Sequence, residues 1–232
     1  MQGQDVRIRS RDGGEFDCYV AAPDGSGKAP GIVLAAAVMG VDADMRAMAD
    51  DFAAHGVFAA APDLFWRTLP GPLPLGDPRC AERAKPRLEV IKKSEADMAD
   101  TLAHLKTLPR FNGRAVSAGF CFGGPYAVLG PKRLGFAAGL SCHGSQMGSY
   151  IDELEGMSQP VCFVWGDEDH QLPPELAEKY RAVAAQKKNL DVNIFPGVKH
   201  GYMLRGNPKA FDQKTYDFSM QRAFALLDAL KS

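Results

Sequence analysis

Three short stretches hold residues whose types and order could do chemistry. They are Gly119-Phe120-Cys121-Phe122-Gly123, Gly166-Asp167-Glu168-Asp169-His170 and Lys199-His200-Gly201-Tyr202. A residue flanked by glycine two places away on each side has the spacing of a nucleophile elbow, G-x-S-x-G, here with sulfur in place of oxygen. A thiol nucleophile needs a base, and the base needs a carboxylate to orient its ring. Along the chain the order is nucleophile, acid, histidine: Cys121, Asp169, His200. A thiolate paired with imidazolium can form before any substrate binds, whereas a serine alkoxide cannot, because thiol pKa values are far lower. The chemistry indicated is acyl transfer to sulfur followed by hydrolysis. Stable amides are poor sources of a thioester, so activated esters and lactones are the expected substrates.

Each of these residues has a plainer alternative. Free cysteine is among the most buried residue types, and Cys18, Cys80, Cys142 and Cys162 are read as structural thiols. Only Cys121 carries flanking glycines and ordered partners. His143, in Ser141-Cys142-His143-Gly144, is the rival base, but it precedes the acid. His55, His104 and His170 read as surface or helix-end residues. Asp167 is expected to bond loop backbone, the usual work of aspartate in turns. The acidic run suggests a divalent metal, yet no His-x-x-x-His or spaced Cys/His set accompanies it, so neither a metal nor a cofactor is expected. Gly119–Gly124 is not a phosphate loop, having neither G-x-G-x-x-G nor a P-loop lysine.

The elements that must position these residues alternate along 232 residues, a length that suits one α/β domain over 1–232. "VRIRS" and "FDCYVAAP" read as an antiparallel start around Asp12-Gly13-Gly14. "IVLAAAV" is a continuous apolar run, as in a strand buried on both faces. A helix follows, capped by Asp42 or Asp44 and closed by Gly56. Further strands are expected at "VFAAAP", "AVSAGF", "FAAGLS", "VCFVWG" and "LDVNIFP". Helices are expected in "LEVIKKSEADMADTLAHLKTL", with Leu88, Ile91, Met98, Leu102 and Leu105 at helical spacing, and near 122–130, 174–187 and 208–230. Residues 62–87 are proline-rich and read as a long loop. This alternation predicts a mainly parallel sheet with helices on both faces. Cys121, Asp169 and His200 then all follow parallel strands and emerge on one edge, where open α/β sheets bind ligands. Their order is that of the α/β-hydrolase fold, unlike those of the trypsin-like and subtilisin-like proteases.

Composition narrows the partners. A formal net charge of −1 with scattered basic residues gives no reason to expect nucleic acid or an anionic membrane. The longest apolar run falls short of the roughly 20 residues that span a bilayer. The first residues lack the apolar core of a signal peptide. Five cysteines without a C-x-x-C pair argue for reduced thiols. A cytoplasmic protein with a small-molecule substrate is expected, as a monomer or a dimer.

Taken together, "IVLAAAVMGVDADMRAMADDFAAHGVFAAAPDLFWR", "GFCFGG", "GDEDH" and "KHGYMLRG" resemble the dienelactone hydrolase family through most of the chain. The resemblance implies a cofactor-free hydrolase of small esters or lactones with Cys121 as nucleophile, Asp169 as acid and His200 as base. It implies an oxyanion hole made by the backbone N–H groups of Phe122 and Val38. It also implies arginines that bind a substrate carboxylate, mapping to Arg83 and Arg205. One position departs from the pattern: where the best-known members carry a glutamate against the resting thiol, Ala37 stands. The competing functions are a non-catalytic ligand-binding protein on the same fold, or a hydrolase of other specificity, such as a thioesterase or peptidase.

Overall fold

The computed structural model describes residues 2–231. Its strands are β1 (Gln4–Arg9), β2 (Glu15–Ala21), β3 (Ala29–Ala35), β4 (Phe58–Pro62), β5 (Phe111–Phe120), β6 (Ala138–Cys142), β7 (Val161–Glu168) and β8 (Leu190–Lys199). They form one sheet in the order β1-β2-β4-β3-β5-β6-β7-β8. The first two pairings, β1 with β2 and β2 with β4, are antiparallel, as the opening hairpin predicts. All later neighbours run parallel. Alternation along the strands divides the core in two. Ile32, Leu34, Val116 and Leu140 face one layer, and Val33, Ala35 and Ala115 face the other.

Helices α1 (Ala43–Ala54) and α6 (Gln213–Asp228) cover the first face through Met48, Phe52, Ala223 and Leu227. Helices α3 (Arg87–Lys106) and α4 (Tyr126–Arg133) cover the second. On that same face, α5 (Pro174–Ala185) lays Tyr180 against Phe163 and Trp165 of β7. Asp42 is the cap of α1, accepting from the Met45 N–H at 2.9 Å, which satisfies a donor that the first helical turn leaves open.

Two expectations change. The proline-rich segment is not all loop, since it carries a short helix α2 (Arg79–Ala84). Leu88, expected on the apolar stripe of α3, is 68 % exposed. The buried stripe runs through Ile91, Met98, Leu102 and Leu105, and a 100° step per residue puts Leu88 on its far flank in the first turn. Among the described residues, no helix is long and apolar enough to cross a membrane.

Candidate active site

Strand β3 stops at Ala35, so Ala36, Ala37 and Val38 lie in a loop beyond the sheet edge. Strand β5 ends beside it at Phe120, and Cys121 opens a 3-10 turn, Cys121–Gly123. The backbone of Cys121 has φ 49°, a left-handed conformation that side chains rarely adopt and that functional sites tolerate. The glycines around it answer to crowding. A Cβ on Gly119 would lie 2.1 Å from the Gly123 carbonyl oxygen, and one on Gly123 would lie 2.1 Å from that of Ala35. The Cys121 carbonyl accepts from the N–H groups of Gly124 at 3.0 Å and Ser145 at 2.9 Å, which fixes the turn.

The parallel neighbours β7 and β8 bring up the other two residues. The buried Asp169 carboxylate places both oxygens 2.9 Å from His200 Nδ1 and accepts from the Gln171 N–H at 2.8 Å. With Nδ1 engaged, Nε2 is the nitrogen left for the thiol. One ligand atom each from Cys121, His143 and His200 lies within 4.8 Å of the others. Asp167 does what its type predicts, accepting from the Gly197 N–H at 2.7 Å.

The electrostatics follow from these contacts. Burial by itself lowers the pKa of His200, but the Asp169 hydrogen bond and the adjacent sulfur outweigh it and lift the ring to about 10. Burial raises the Cys121 thiol, while His200, the Ser145 hydroxyl 3.3 Å from Sγ and the Arg87 charge pull it below its ordinary value. Sulfur and imidazole thus favour a thiolate–imidazolium pair. For the free thiols of Cys18, Cys142 and Cys162 burial outweighs every lowering contact and pushes them up, Cys142 to about 12.

Two residues here had no sequence signal. Ser145 touches the sulfur. Arg87, at the start of α3, is buried and donates to the carbonyls of Phe122 at 3.0 Å and Ser145 at 2.8 Å, its guanidinium 4.5 Å above the Phe122 ring. A buried arginine bonded only to backbone leaves no motif. Arg83 turns out similarly placed: it is buried and donates to the carbonyls of Val38 at 2.9 Å, Gly71 at 2.7 Å and Leu69. Both residues expected to form the oxyanion hole, Val38 and Phe122, therefore have their carbonyls tied to a buried guanidinium. Arg205 pairs with Asp51 at 3.0 Å and with the Tyr216 hydroxyl. The structure brings Cys121, Asp169 and His200 together, and it engages Arg83 and Arg205 elsewhere, with the protein's own acceptors.

Next to Phe120 of the elbow and His143 lies a recess walled also by Ala37, Met39, Met203 and Leu204. Met39, Asp42, Asp44 and Leu204 continue it into an open groove past Leu73 and Gly206. No lysine or arginine lines either part.

Residues 16–230 match the profile of the dienelactone hydrolase family. The chain belongs to that family. Carboxymethylenebutenolidase 1 of Cupriavidus pinatubonensis is 26 % identical over 234 residues, covering 100 % of this chain and 99 % of that protein. The carboxymethylenebutenolidase of Pseudomonas putida is 27 % identical over 176 residues, 75 % of this chain and 74 % of that one. Among solved structures, a dienelactone hydrolase-like promiscuous phosphotriesterase from metagenomic libraries superposes with a TM-score of 0.80 at 17 % identity, over 99 % of each chain. As a dienelactone hydrolase family member, this protein is a hydrolase acting on esters or lactones, built on a single-domain α/β fold.

Proposed function

We propose that this dienelactone hydrolase family member cleaves small neutral esters and lactones through a Cys121–His200–Asp169 triad and an acyl-thioester. The observation that carries the reading is the 2.9 Å pairing of His200 Nδ1 with a buried carboxylate, which leaves Nε2 for the sulfur. The Cys121 thiolate attacks the acyl carbon, and the carbonyl oxygen becomes an oxyanion held by the N–H groups of Val38 and Phe122. Collapse breaks the C–O bond, and the imidazolium of His200 gives its proton to the departing alkoxide. In a lactone that alkoxide stays tethered to the acyl group. Water then attacks the thioester while His200 takes its proton, and the thiolate leaves as the carboxylic acid product forms.

The preference for a neutral substrate rests on the recess and groove, which present apolar atoms and two aspartates and no cation. Arg83 and Arg205, the two arginines expected to hold a substrate carboxylate, are bonded to acceptors of the protein itself. The test is a panel of small esters and lactones, each assayed as free carboxylate and as methyl ester, on wild type and Cys121→Ala. Turnover of the neutral forms by wild type and none by the variant supports the reading. Undiminished turnover by Cys121→Ala would sink it.

A further inference from the structure

The hydrolysis just described has no use for His143, although its ring is wholly buried at the site. Neither Nδ1 nor Nε2 of His143 has a hydrogen-bond partner. Buried polar atoms are nearly always satisfied, so an imidazole with two unmatched nitrogens calls for an explanation. The ring stands edge-on to His200 with centroids 4.9 Å apart, and one of its nitrogens belongs to the group of three atoms gathered within 4.8 Å. We propose that Cys121, His143 and His200 bind one Zn2+, and that its occupancy switches the hydrolase off.

The donor set suits that ion. One thiolate and two imidazoles are borderline-soft ligands that favour Zn2+ and disfavour Mg2+ or Ca2+, which take oxygen. Zinc bonds of about 2.3 Å to sulfur and 2.0–2.1 Å to nitrogen set tetrahedral ligand atoms roughly 3.4–3.6 Å apart. Closing from 4.8 Å takes movements on the order of 1 Å, within reach of a rotation of the Cys121 side chain and a tilt of the His200 ring. The outer layer is already built, because Asp169 holds His200 Nδ1, the carboxylate–histidine–metal arrangement that fixes the ligating nitrogen. Sulfur and His200 Nε2 share one proton in the resting protein. The metal displaces it to solvent, and no atom is oxidised or reduced. With the sulfur lone pair and Nε2 both coordinated, neither nucleophile nor base remains, and a water fills the fourth position.

The test reads metal directly, so it stands or falls independently of any ester turnover. Calorimetric titration of the full chain, in a Cys80→Ser background that removes the other accessible thiol, should give one Zn2+ per chain and no response to Mg2+. Co2+ should give a thiolate-to-cobalt charge-transfer band with tetrahedral visible bands. His143→Leu, and separately alkylation of Cys121 by iodoacetamide, should each weaken Zn2+ binding by more than about 100-fold, since losing even an outer-layer partner costs roughly 10- to 100-fold. If the leucine variant does not fold, the alkylated protein decides. Absence of Zn2+ binding, a cobalt spectrum without the thiolate band, or affinity untouched by alkylation would overturn the proposal and leave a buried water as the partner of His143.

Discussion

His143 and His200 sit side by side at the carboxyl ends of β6 and β8, both largely enclosed, yet they behave in opposite ways. Burial pushes His143 well below its ordinary pKa, and the neighbouring charge of His200 adds to that. His200 is lifted to about 10 despite the same penalty. The difference lies in their partners. His200 has the Asp169 carboxylate from the loop after β7 and the Cys121 sulfur, whereas neither nitrogen of His143 has a hydrogen-bond partner.

Removing the favoured ring should have the largest effect. His200→Ala is expected to lower kcat/KM for a neutral ester by about 10³-fold or more, near the upper end of general acid–base contributions. An activity loss below tenfold would mean that His143 can serve as base. Asp169→Asn makes His200 resemble its neighbour; kcat should fall by about 10²-fold, because the imidazole loses both its orientation and the charge that stabilises its protonated form. Asp167→Asn, which loses only a loop bond to Gly197, should leave kcat within about twofold and serves as the control.

The same contrast has a pH signature. His200 has a folded-state pKa raised above its ordinary 6.5, so its contribution to stability is fully present below pH 6.5 and is lost as pH climbs through about 10. The gap in Tm between wild type and Asp169→Asn should therefore narrow across that window. A gap that widens with pH would contradict the raised value.

Arg87 fastens the loop after β6 by the Ser145 carbonyl, and it does nothing comparable for the loop after β8. Charged hydrogen bonds are worth about 1.5–3 kcal/mol each, so losing the two that Arg87 makes, in Arg87→Met, should cost roughly 3–6 kcal/mol of stability. Thermal unfolding would show this as a fall of roughly 6–24 °C, at about 2–4 °C per kcal/mol for a chain of this size. The smallest effect belongs to Arg205 beside the β8 loop. Its exposed pair with Asp51 is worth about 0–1 kcal/mol, and Arg205→Met should not alter the preference between a carboxylated lactone and its methyl ester. A tenfold rise in KM for the carboxylated form alone would restore the clamp that the sequence resemblance implied.

Much of this was legible in the chain. The alternation of apolar runs and helical spacings predicts the parallel sheet, and the glycines at 119 and 123 mark the elbow for a reason the structure makes plain, the absence of room for a Cβ. Order along the chain was enough to bring Cys121, Asp169 and His200 to one edge. Residues that act through backbone were not legible. Arg87 and Arg83 reach carbonyls 35 and 45 residues away in sequence, and a carbonyl is the same acceptor at every position. Nor could spacing show that His143 would be sealed in without a partner. That depends on what the neighbouring loops fail to supply.

Hydrolysis through sulfur requires a covalent acyl intermediate on Cys121. Rapid quenching of the enzyme during turnover of an aryl acetate, followed by mass spectrometry of its peptides, looks for that intermediate. One acetyl group is expected on the peptide bearing Cys121, absent from Cys121→Ala and accumulating further in Asp169→Asn if hydrolysis of the thioester slows more than its formation. Turnover with no acetyl on Cys121, or with acetyl found only on Ser145, whose hydroxyl lies 3.3 Å from the sulfur, would contradict it.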